Sequence, residues 1–215
     1  MTTTAFSQVL FYLMHHRDPR YVHPDLLAIL KAGDGNATSK KDPEIRRREL
    51  SAASLPHLLR HLAGHVPALI KTKQGAVAIY TILEAAEGKD KDMAEATQAF
   101  NAVIELLEAP FDAALADSAA AEEGQFHPVA DAGGHLCVKK IIQQNSSFAS
   151  RLLERVTDDH LRSWTTCNRG CYVLLPLAEH KDETVTNRIK QALTPILDTL
   201  KASDFSGAKV LTTKL

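Results

Sequence analysis

With 215 residues, 45% of them apolar, the chain can form one sizeable core or a short solenoid, and general disorder is excluded. Its 10 glycines, 9 prolines and 6% aromatic residues argue against a β-sandwich or barrel and favour helices. The formal net charge of −1 excludes a strong overall attraction to polyanions, so any nucleic-acid contact must come from local basic clusters.

The sequence also bears on the compartment in which the protein works. No apolar run approaches the roughly 18 residues that a membrane span needs, so we expect no membrane association. The first residues lack the basic segment followed by an apolar stretch that is typical of a signal peptide. The three cysteines, Cys137, Cys167 and Cys171, are an odd number and indicate a reducing compartment. We therefore expect a soluble intracellular protein.

Helical periodicity is the main secondary-structure signal in the first half of the chain. Leucines at helical spacing predict a helix over 55–63, and Gly64 and Pro67 are expected to make it kink or restart before Leu69. A second helix is predicted to follow Gly75, and a third to open at Asp92. Each of these helices has one apolar face, as expected for helices that pack against one another.

The stretch 108–130 has a different composition, because it combines prolines, acidic residues and a run of alanines. These features predict a long acidic connection. Beyond it, periodicity predicts helices at 132–144, 147–156, 158–165, 170–180, 183–201 and 207–214. No alternating pattern of apolar and polar residues indicates a strand, so the predicted class is all-α.

Four predicted helices form an internal repeat, because each begins at a glycine and has the same apolar rhythm. They are Gly75–Leu83, Gly134–Ile142, Gly170–Ala178 and Gly207–Leu215. The last three glycines are 36 and 37 residues apart, and the step from the first to the second is 59 residues. A unit of this length cannot bury its apolar face alone, so it must stack on its neighbours. We expect the glycines to permit close backbone approach. The alternative is an irregular helical bundle.

The segment Phe6–Leu13 has the same apolar rhythm and lies almost at the first residue. A solenoid that opens with the second helix of a unit leaves an apolar face uncovered. We therefore expect residues 1–14 to be a truncated repeat whose preceding repeats belong to a longer chain.

Three segments carry a resemblance to a known family. The strongest is Lys31–Leu50, and weaker matches are Ala132–Lys140 and Leu161–Gly170. The repeated helices resemble the second helices of PUF (Pumilio-like) repeats. The chain as a whole is similar to the C-terminal region of the Puf-A family, the nucleolar Pumilio-like proteins that carry a CPL region.

The resemblance implies a right-handed superhelical α-solenoid of PUF-like repeats. It places residues 1–215 in a single C-terminal segment of the repeat array, with 108–130 as the acidic connection and 131–215 as the last repeats. It also implies residence in the nucleus and nucleolus, participation in large-ribosomal-subunit biogenesis, and binding to RNA or DNA without sequence preference.

The residues themselves argue against a base-reading code. A PUF repeat that reads a base uses two polar edge readers and one stacking side chain on its second helix. The corresponding positions in this chain hold Ser7, Gln8 and Phe11; Ala76, Val77 and Tyr80; His135, Leu136 and Lys139; Cys171, Tyr172 and Leu175; and Ala208, Lys209 and Thr212. Aliphatic side chains cannot form hydrogen bonds with base edges, so we predict no base code.

Two basic clusters are candidates for nucleic-acid binding. The stronger one consists of Lys40, Lys41, Arg46, Arg47 and Arg48. Asp42 and Pro43 are predicted to cap and begin a helix, so the arginines lie near a helix N-terminus, where cations oppose the macrodipole by up to ~1 kcal/mol. A bound anion or acidic partner would account for this placement. The alternative is a solvated charged face in which Glu44 and Glu49 are the local partners.

The second cluster lies near the predicted repeat junctions. Its members are Lys71, Lys73, Lys139, Lys140 and Arg169. Stacking of the repeats could align them into a stripe that follows a phosphate backbone. The alternative is that each is an ordinary surface residue.

Other chemistry-bearing residues are better explained without a site. His57, His61 and His65 share a helix face, but the glutamate of the metalloprotease motif is missing, so no metal site is predicted. Cys167 and Cys171 do not form a CxxC pair, and we expect buried thiols. No cofactor motif and no constellation of acid, base and nucleophile is present, so an enzyme is not expected.

Two functional hypotheses remain. The first is a non-enzymatic scaffold, a monomer, that binds RNA (pre-ribosomal RNA in particular) and DNA without sequence specificity, together with ribosome-assembly proteins. The second is a protein-interaction module that docks acidic or ribosome-assembly partners with no direct nucleic-acid contact.

Overall fold

The computed structural model describes residues 2–33, 41–89, 93–112 and 126–215, with the backbone alone for residues 2–8. In these ranges the regular structure is entirely helical, as predicted. The α-helices are α1 (Thr2–His15), α2 (Pro24–Ala32), α3 (Pro43–Leu69), α4 (Lys73–Ala85), α5 (Ala94–Leu107), α6 (Gly134–Gln144), α7 (Ser146–Arg155), α8 (Asp158–Trp164), α9 (Asn168–Ala178), α10 (Glu183–Leu193), α11 (Leu197–Ala202) and α12 (Ser206–Thr212). None of them is both long and apolar enough to cross a membrane.

The helices lie side by side in two layers. In the first layer α1, α4, α6, α9 and α12 follow one another, each in contact with the next. In the second layer α3, α5, α7 and α10 do the same, and α3 also packs on α4. Each helix therefore buries its apolar face against its neighbours and not around one central point. The predicted all-α solenoid is confirmed.

The core runs between the two layers along the whole stack. Its largest fully buried side chains include Phe100, Phe148 and Trp164. The rings of Phe100 on α5 and Phe148 on α7 lie 5.8 Å apart, so they join successive helices of the second layer. The cysteines Cys137, Cys167 and Cys171 are buried, as expected for Cys167 and Cys171.

The repeat glycines stand where two backbones meet. A Cβ on Gly170 would lie 2.0 Å from the carbonyl oxygen of Trp164, and one on Gly75 would lie 2.1 Å from that of Leu69. Real Cβ atoms do not approach an oxygen so closely, so α4 and α9 begin against the ends of α3 and α8 only because no side chain intervenes. The corresponding distance to a backbone oxygen is 2.7 Å at Gly134 and Gly207. The expected close approach is confirmed.

The predicted restart of the helix after Gly64 is wrong, because α3 runs unbroken through Gly64 and Pro67; the alternative, a kink there, stays a prediction. A proline inside a helix costs about 3 kcal/mol. The buried face of α3 consists of Leu55, Leu59, Leu62 and Val66. Burying such side chains contributes about 1.5–3 kcal/mol each, so packing against α5 outweighs the local penalty.

The reverse error occurs near the C-terminus. The helix predicted over 183–201 is divided: α10 ends at Leu193, a 3-10 turn spans Thr194–Ile196, and α11 follows. Pro195 has no N–H to continue the α-helical pattern, which accounts for the break. Asp92, the predicted start of the helix after α4, lies outside the described residues.

The first repeat helix is attached to α4 through polar contacts. The Nε2 atom of His15 lies 2.8 Å from the carbonyl oxygen of Thr81. The hydroxyl of Tyr21 donates to Glu84 at 2.7 Å, and Arg20 donates to the same carboxylate at 2.9 Å. That residues 1–14 form a truncated repeat stays a prediction.

The end of the predicted acidic connection belongs to the core. Residues 113–125 lie outside the described part of the chain, but Val129 is fully buried and His127 is 6% exposed. The ring of His127 makes an edge contact with Phe111 at 5.1 Å. The boundaries 108–130 and 131–215 stay predictions.

Candidate nucleic-acid interface

An open groove of about 380 Å³ lies between α4 and α6 of the first layer. Three lysines, Lys73, Lys139 and Lys140, line it together with Val77 and Leu136. No carboxylate is among the described residues that line this α4–α6 groove. The stacking of repeats therefore brings three of the predicted site residues to one positively charged depression.

The positively charged surface continues onto the next repeat. The Nζ atom of Lys139 lies 5.6 Å from the ring centroid of Tyr172 on α9, at cation–π distance. The hydroxyl of Tyr172 is 3.3 Å from the Oγ of Ser206 at the start of α12. A lysine of α6, an aromatic ring of α9 and a hydroxyl of α12 thus lie next to one another on three successive helices of the first layer.

Two further predicted cations hold the segment that precedes α6. The Nζ atom of Lys71 lies 5.4 Å from the ring centroid of Phe126. Arg169 donates to the carbonyl oxygen of Ala130 at 2.8 Å. Burial lowers the pKa of His135, and the charges of Arg169 and Lys139 lower it further. Lys71, Lys139 and Arg169 therefore lie close to α6, and the carboxylate of Asp131 lies at its start.

The start of α3 has the predicted cap. The carboxylate of Asp42 accepts from the backbone N–H groups of Glu44 at 2.8 Å and Ile45 at 3.1 Å, and Pro43 occupies the first turn. The arginines that follow lie in the first two turns of the helix, as the sequence predicted.

Several cations of this cluster have local partners. Lys41 forms an ion pair with Glu49, and the Nε of Arg47 donates to Glu44 at 3.0 Å. Arg46 donates to the carbonyl oxygen of Lys41 at 3.4 Å. For Lys41 and Arg47 these contacts favour the alternative interpretation, a solvated charged face with Glu44 and Glu49 as local partners. Lys40 lies outside the described residues.

Arg48 is in a different setting, because it lines a pocket together with Arg47 and Lys89. The sequence interpretation did not include Lys89. Its only signal there was a lysine directly after Gly88, which resembles any exposed loop cation.

The positions that correspond to base readers do not form a reading surface. The first of them is buried in three repeats, at Ala76, Cys171 and Ala208. Leu136, at the second position, is 54% exposed and has no group that can form a hydrogen bond with a base. This arrangement supports the prediction that no base code exists, which stays a prediction.

The histidines and cysteines that the sequence singled out take part in packing and helix capping. The rings of His61 and His65 stack with centroids 4.0 Å apart. The Sγ of Cys167 accepts from the N–H of Gly170 at 3.3 Å and caps α9. Burial raises the pKa of Cys137 and of Cys171 to about 12, so both remain thiols. Among the described residues, no group of three or more histidines, cysteines and acids is placed to hold a metal ion.

Stacked helices, glycine junctions and a lysine-lined groove define an α-helical repeat protein with a local basic surface. The chain belongs to the CPL (NUC119) domain family, which matches residues 7–152. It is 35% identical to Pumilio homolog 3 of Mus musculus over 214 residues, covering 95% of this chain and 31% of the relative. The human Pumilio homolog 3 is 33% identical over 219 residues, with coverages of 97% and 32%. The chain thus spans about a third of the length of these relatives.

Solved structures give the same assignment. The crystal structure of human Puf-A matches with a TM-score of 0.83 and 32% identity, over 97% of this chain and 40% of that one. The crystal structure of human Puf-A in complex with DNA matches with a TM-score of 0.81 and 31% identity, over 96% and 38%. The resemblance to the CPL region of the Puf-A family and the solenoid of PUF-like repeats are confirmed.

Proposed function

We propose that the chain is a non-enzymatic scaffold that binds the phosphate backbone of nucleic acids without reading their sequence. The observation that carries this proposal is the α4–α6 groove, where Lys73, Lys139 and Lys140 converge with no carboxylate among the described lining residues. The DNA complex of human Puf-A, a structural neighbour, supports a nucleic-acid ligand.

Binding would be driven by the lysines. Each lysine that neutralises a phosphate releases a condensed counterion, which makes affinity fall steeply with salt. Lys71 and Arg169 lie beside the same repeat junctions and would extend the contact. Tyr172, next to Lys139, offers a ring on which an unpaired base can stack. Backbone contacts and stacking are both indifferent to sequence, which agrees with the missing edge readers.

The finer parts of the proposal derive from the resemblance to the Puf-A family. We propose pre-ribosomal RNA as the nucleic acid, large-subunit assembly in the nucleolus as the setting, and a monomer as the binding unit. Ribosome-assembly proteins are proposed as further partners. Nucleic-acid contacts of Lys40, Lys41, Arg46, Arg47 and Arg48 are part of the same proposal and rest on the sequence.

The test replaces the three groove lysines together, as Lys73→Ala, Lys139→Ala and Lys140→Ala. Fluorescence anisotropy with two unrelated RNA strands and one DNA duplex gives affinity across a salt series. We expect about tenfold weaker binding or more, equal on both sequences, and a salt slope smaller by about two to three. The matched control is Lys181→Ala with Lys190→Ala and Lys201→Ala, which should bind as the parent does. Unchanged affinity and slope in the groove variant would contradict the proposal.

A second candidate function is favoured by the floor of the same groove. Leu136 is 54% exposed and Val77 lies beside it, so an acidic protein segment with apolar side chains would fit between the lysines. Leu136→Ser separates the two functions. Absence of nucleic-acid binding by the parent chain at low salt, together with loss of a co-purifying protein from this variant, would favour the protein-interaction module.

A further inference from the structure

A second pocket, of about 380 Å³, lies between α3 and the start of α5. Arg47, Arg48 and Ser51 approach it from α3, Lys89 from the end of the turn after α4, and Met93 from the residue before α5. Leu55 and Ala52 complete its apolar side. We refer to it as the α3–α5 pocket. It shares no lining residue with the α4–α6 groove.

The described lining of this pocket carries an excess of positive charge. Two guanidinium groups and one ammonium group line it, and no carboxylate is among the described residues that do so. The Nε of Arg47 donates to Glu44, which lies outside the pocket lining, whereas the Nζ of Lys89 donates to the carbonyl oxygen of Ala85 at 2.8 Å. Burial lowers the pKa of Lys89, and the nearby charge of Arg47 lowers it further. An anion in the pocket would relieve this repulsion.

We propose that Arg47, Arg48 and Lys89 form a binding site for a phosphate monoester in the α3–α5 pocket. Guanidinium groups match the geometry of phosphate oxygens, and a lysine adds a mobile charge. The hydroxyl of Ser51 is a further donor at the same wall.

The apolar wall of the pocket favours an organic phosphate over inorganic phosphate. Ala52 and Met93 form a surface that an attached ring or sugar would cover, and the volume lies within the range of about 300–1,000 Å³ that small-molecule sites occupy. Such a monoester exists both as a free nucleotide and as the terminal phosphate of a nucleic-acid strand. The site shares Arg47 and Arg48 with the wider nucleic-acid proposal, but it does not depend on the α4–α6 groove, because the groove lysines are not part of it.

The test is calorimetric titration of the whole chain with adenosine monophosphate, inorganic phosphate and adenosine. We expect binding of the monophosphate, weaker binding of inorganic phosphate, and none of adenosine. The double variant Arg48→Gln and Lys89→Gln should weaken monophosphate binding about tenfold or more, because two charge-assisted contacts are lost. As a control for folding, the midpoint temperature of thermal unfolding of this variant should equal that of the parent.

Two controls isolate the site. Lys181→Gln with Lys201→Gln makes the same charge change elsewhere, and the groove variant of Lys73, Lys139 and Lys140 removes the proposed nucleic-acid surface; both should bind the monophosphate normally. Titration of a 5′-phosphorylated and a 5′-hydroxyl strand into the groove variant identifies the source. A preference for the phosphorylated strand assigns the pocket to strand ends, and equal binding assigns it to free organic phosphates. No binding of the monophosphate by the parent chain, or equal binding by the double variant, would overturn the proposal.

Discussion

The two ends of the first layer are held together by different kinds of contact. At the C-terminal end, α6, α9 and α12 each have in their first turn a glycine whose missing side chain lets two backbones meet. At the N-terminal end, α1 and the residues after it are fixed to α4 by the side chains of His15, Arg20 and Tyr21. One stack of helices therefore combines steric junctions with polar ones.

The difference matters for how each end tolerates change. A steric junction fails if any side chain is added, whatever the solvent. The polar junction converges on Glu84, whose side chain is 16% exposed, and each contact there contributes only about 1 kcal/mol. We expect the C-terminal repeats to be sensitive to single substitutions and the N-terminal helix to loosen gradually.

The largest effect is expected at the steric junction. Gly170→Ala should lower the free energy of unfolding by more than about 3 kcal/mol, because its Cβ would lie 2.0 Å from the carbonyl oxygen of Trp164. Urea unfolding followed by circular dichroism measures this loss. A change of less than about 1 kcal/mol would show that the two backbones can separate at little cost.

Gly64→Ala is the matched control, because it is the same substitution in an exposed helical position. An added Cβ there meets nothing within 4 Å. Replacing glycine by alanine inside a helix should therefore stabilise the chain by about 0.5–1 kcal/mol. Opposite signs for the two variants would confirm that the junction, and not helix propensity, decides the result.

This contrast also explains which parts of the fold were predictable. The stacked repeats were predictable, because the glycines and apolar positions recur with a period that is visible in the sequence. The uninterrupted course of α3 was not predictable, because Gly64 and Pro67 are local signals that a buried face outweighs. That face becomes decisive only when α5 lies against it, and no short segment of sequence contains this information.

The residues of the candidate site also differ in whether they could be predicted from the sequence. Lys73 and Lys139 are distant in sequence, but both lie near predicted repeat junctions, so the stacking of repeats predicted that they come together. The pairing of Lys41 with Glu49 could be weighed because the partners are close in sequence. Lys89 was missed because its place beside Arg48 depends on where the turn after α4 meets α3.

A second expected effect is the pH dependence caused by His127, which anchors the end of the connection to the C-terminal repeats. Burial lowers the pKa of His127 from 6.5 to about 4. Above pH 6.5 the ring is neutral in both states. Between pH 6.5 and 4 the unfolded chain takes up a proton that the folded chain does not, so folding loses roughly 2 to 3 kcal/mol on acidification from pH 7 to pH 4.

Comparison with His127→Gln isolates this contribution from that of the carboxylates. Urea unfolding at steps from pH 7 to pH 4 gives the stability of both proteins. The variant should lose less stability on acidification than the parent, although it is less stable at pH 7. Parallel pH profiles would show that His127 takes up its proton in the folded protein as easily as in the unfolded one.

The smallest effect concerns the polar junction, and it tests whether one hydroxyl contributes to the attachment of α1. Tyr21→Phe removes the donor to Glu84 from a half-buried site and should cost about 1 kcal/mol. The matched change Tyr172→Phe removes a hydroxyl that lies 3.3 Å from Ser206 near the surface, and should cost less than about 0.5 kcal/mol. Burial, with the contact to Glu84, raises the pKa of Tyr21 to about 12, so its hydroxyl keeps its proton and remains a donor throughout the neutral range. Equal costs for the two variants in urea unfolding would mean that α1 is held by the packing of Tyr21 against Phe11 and His15, and not by this hydrogen bond.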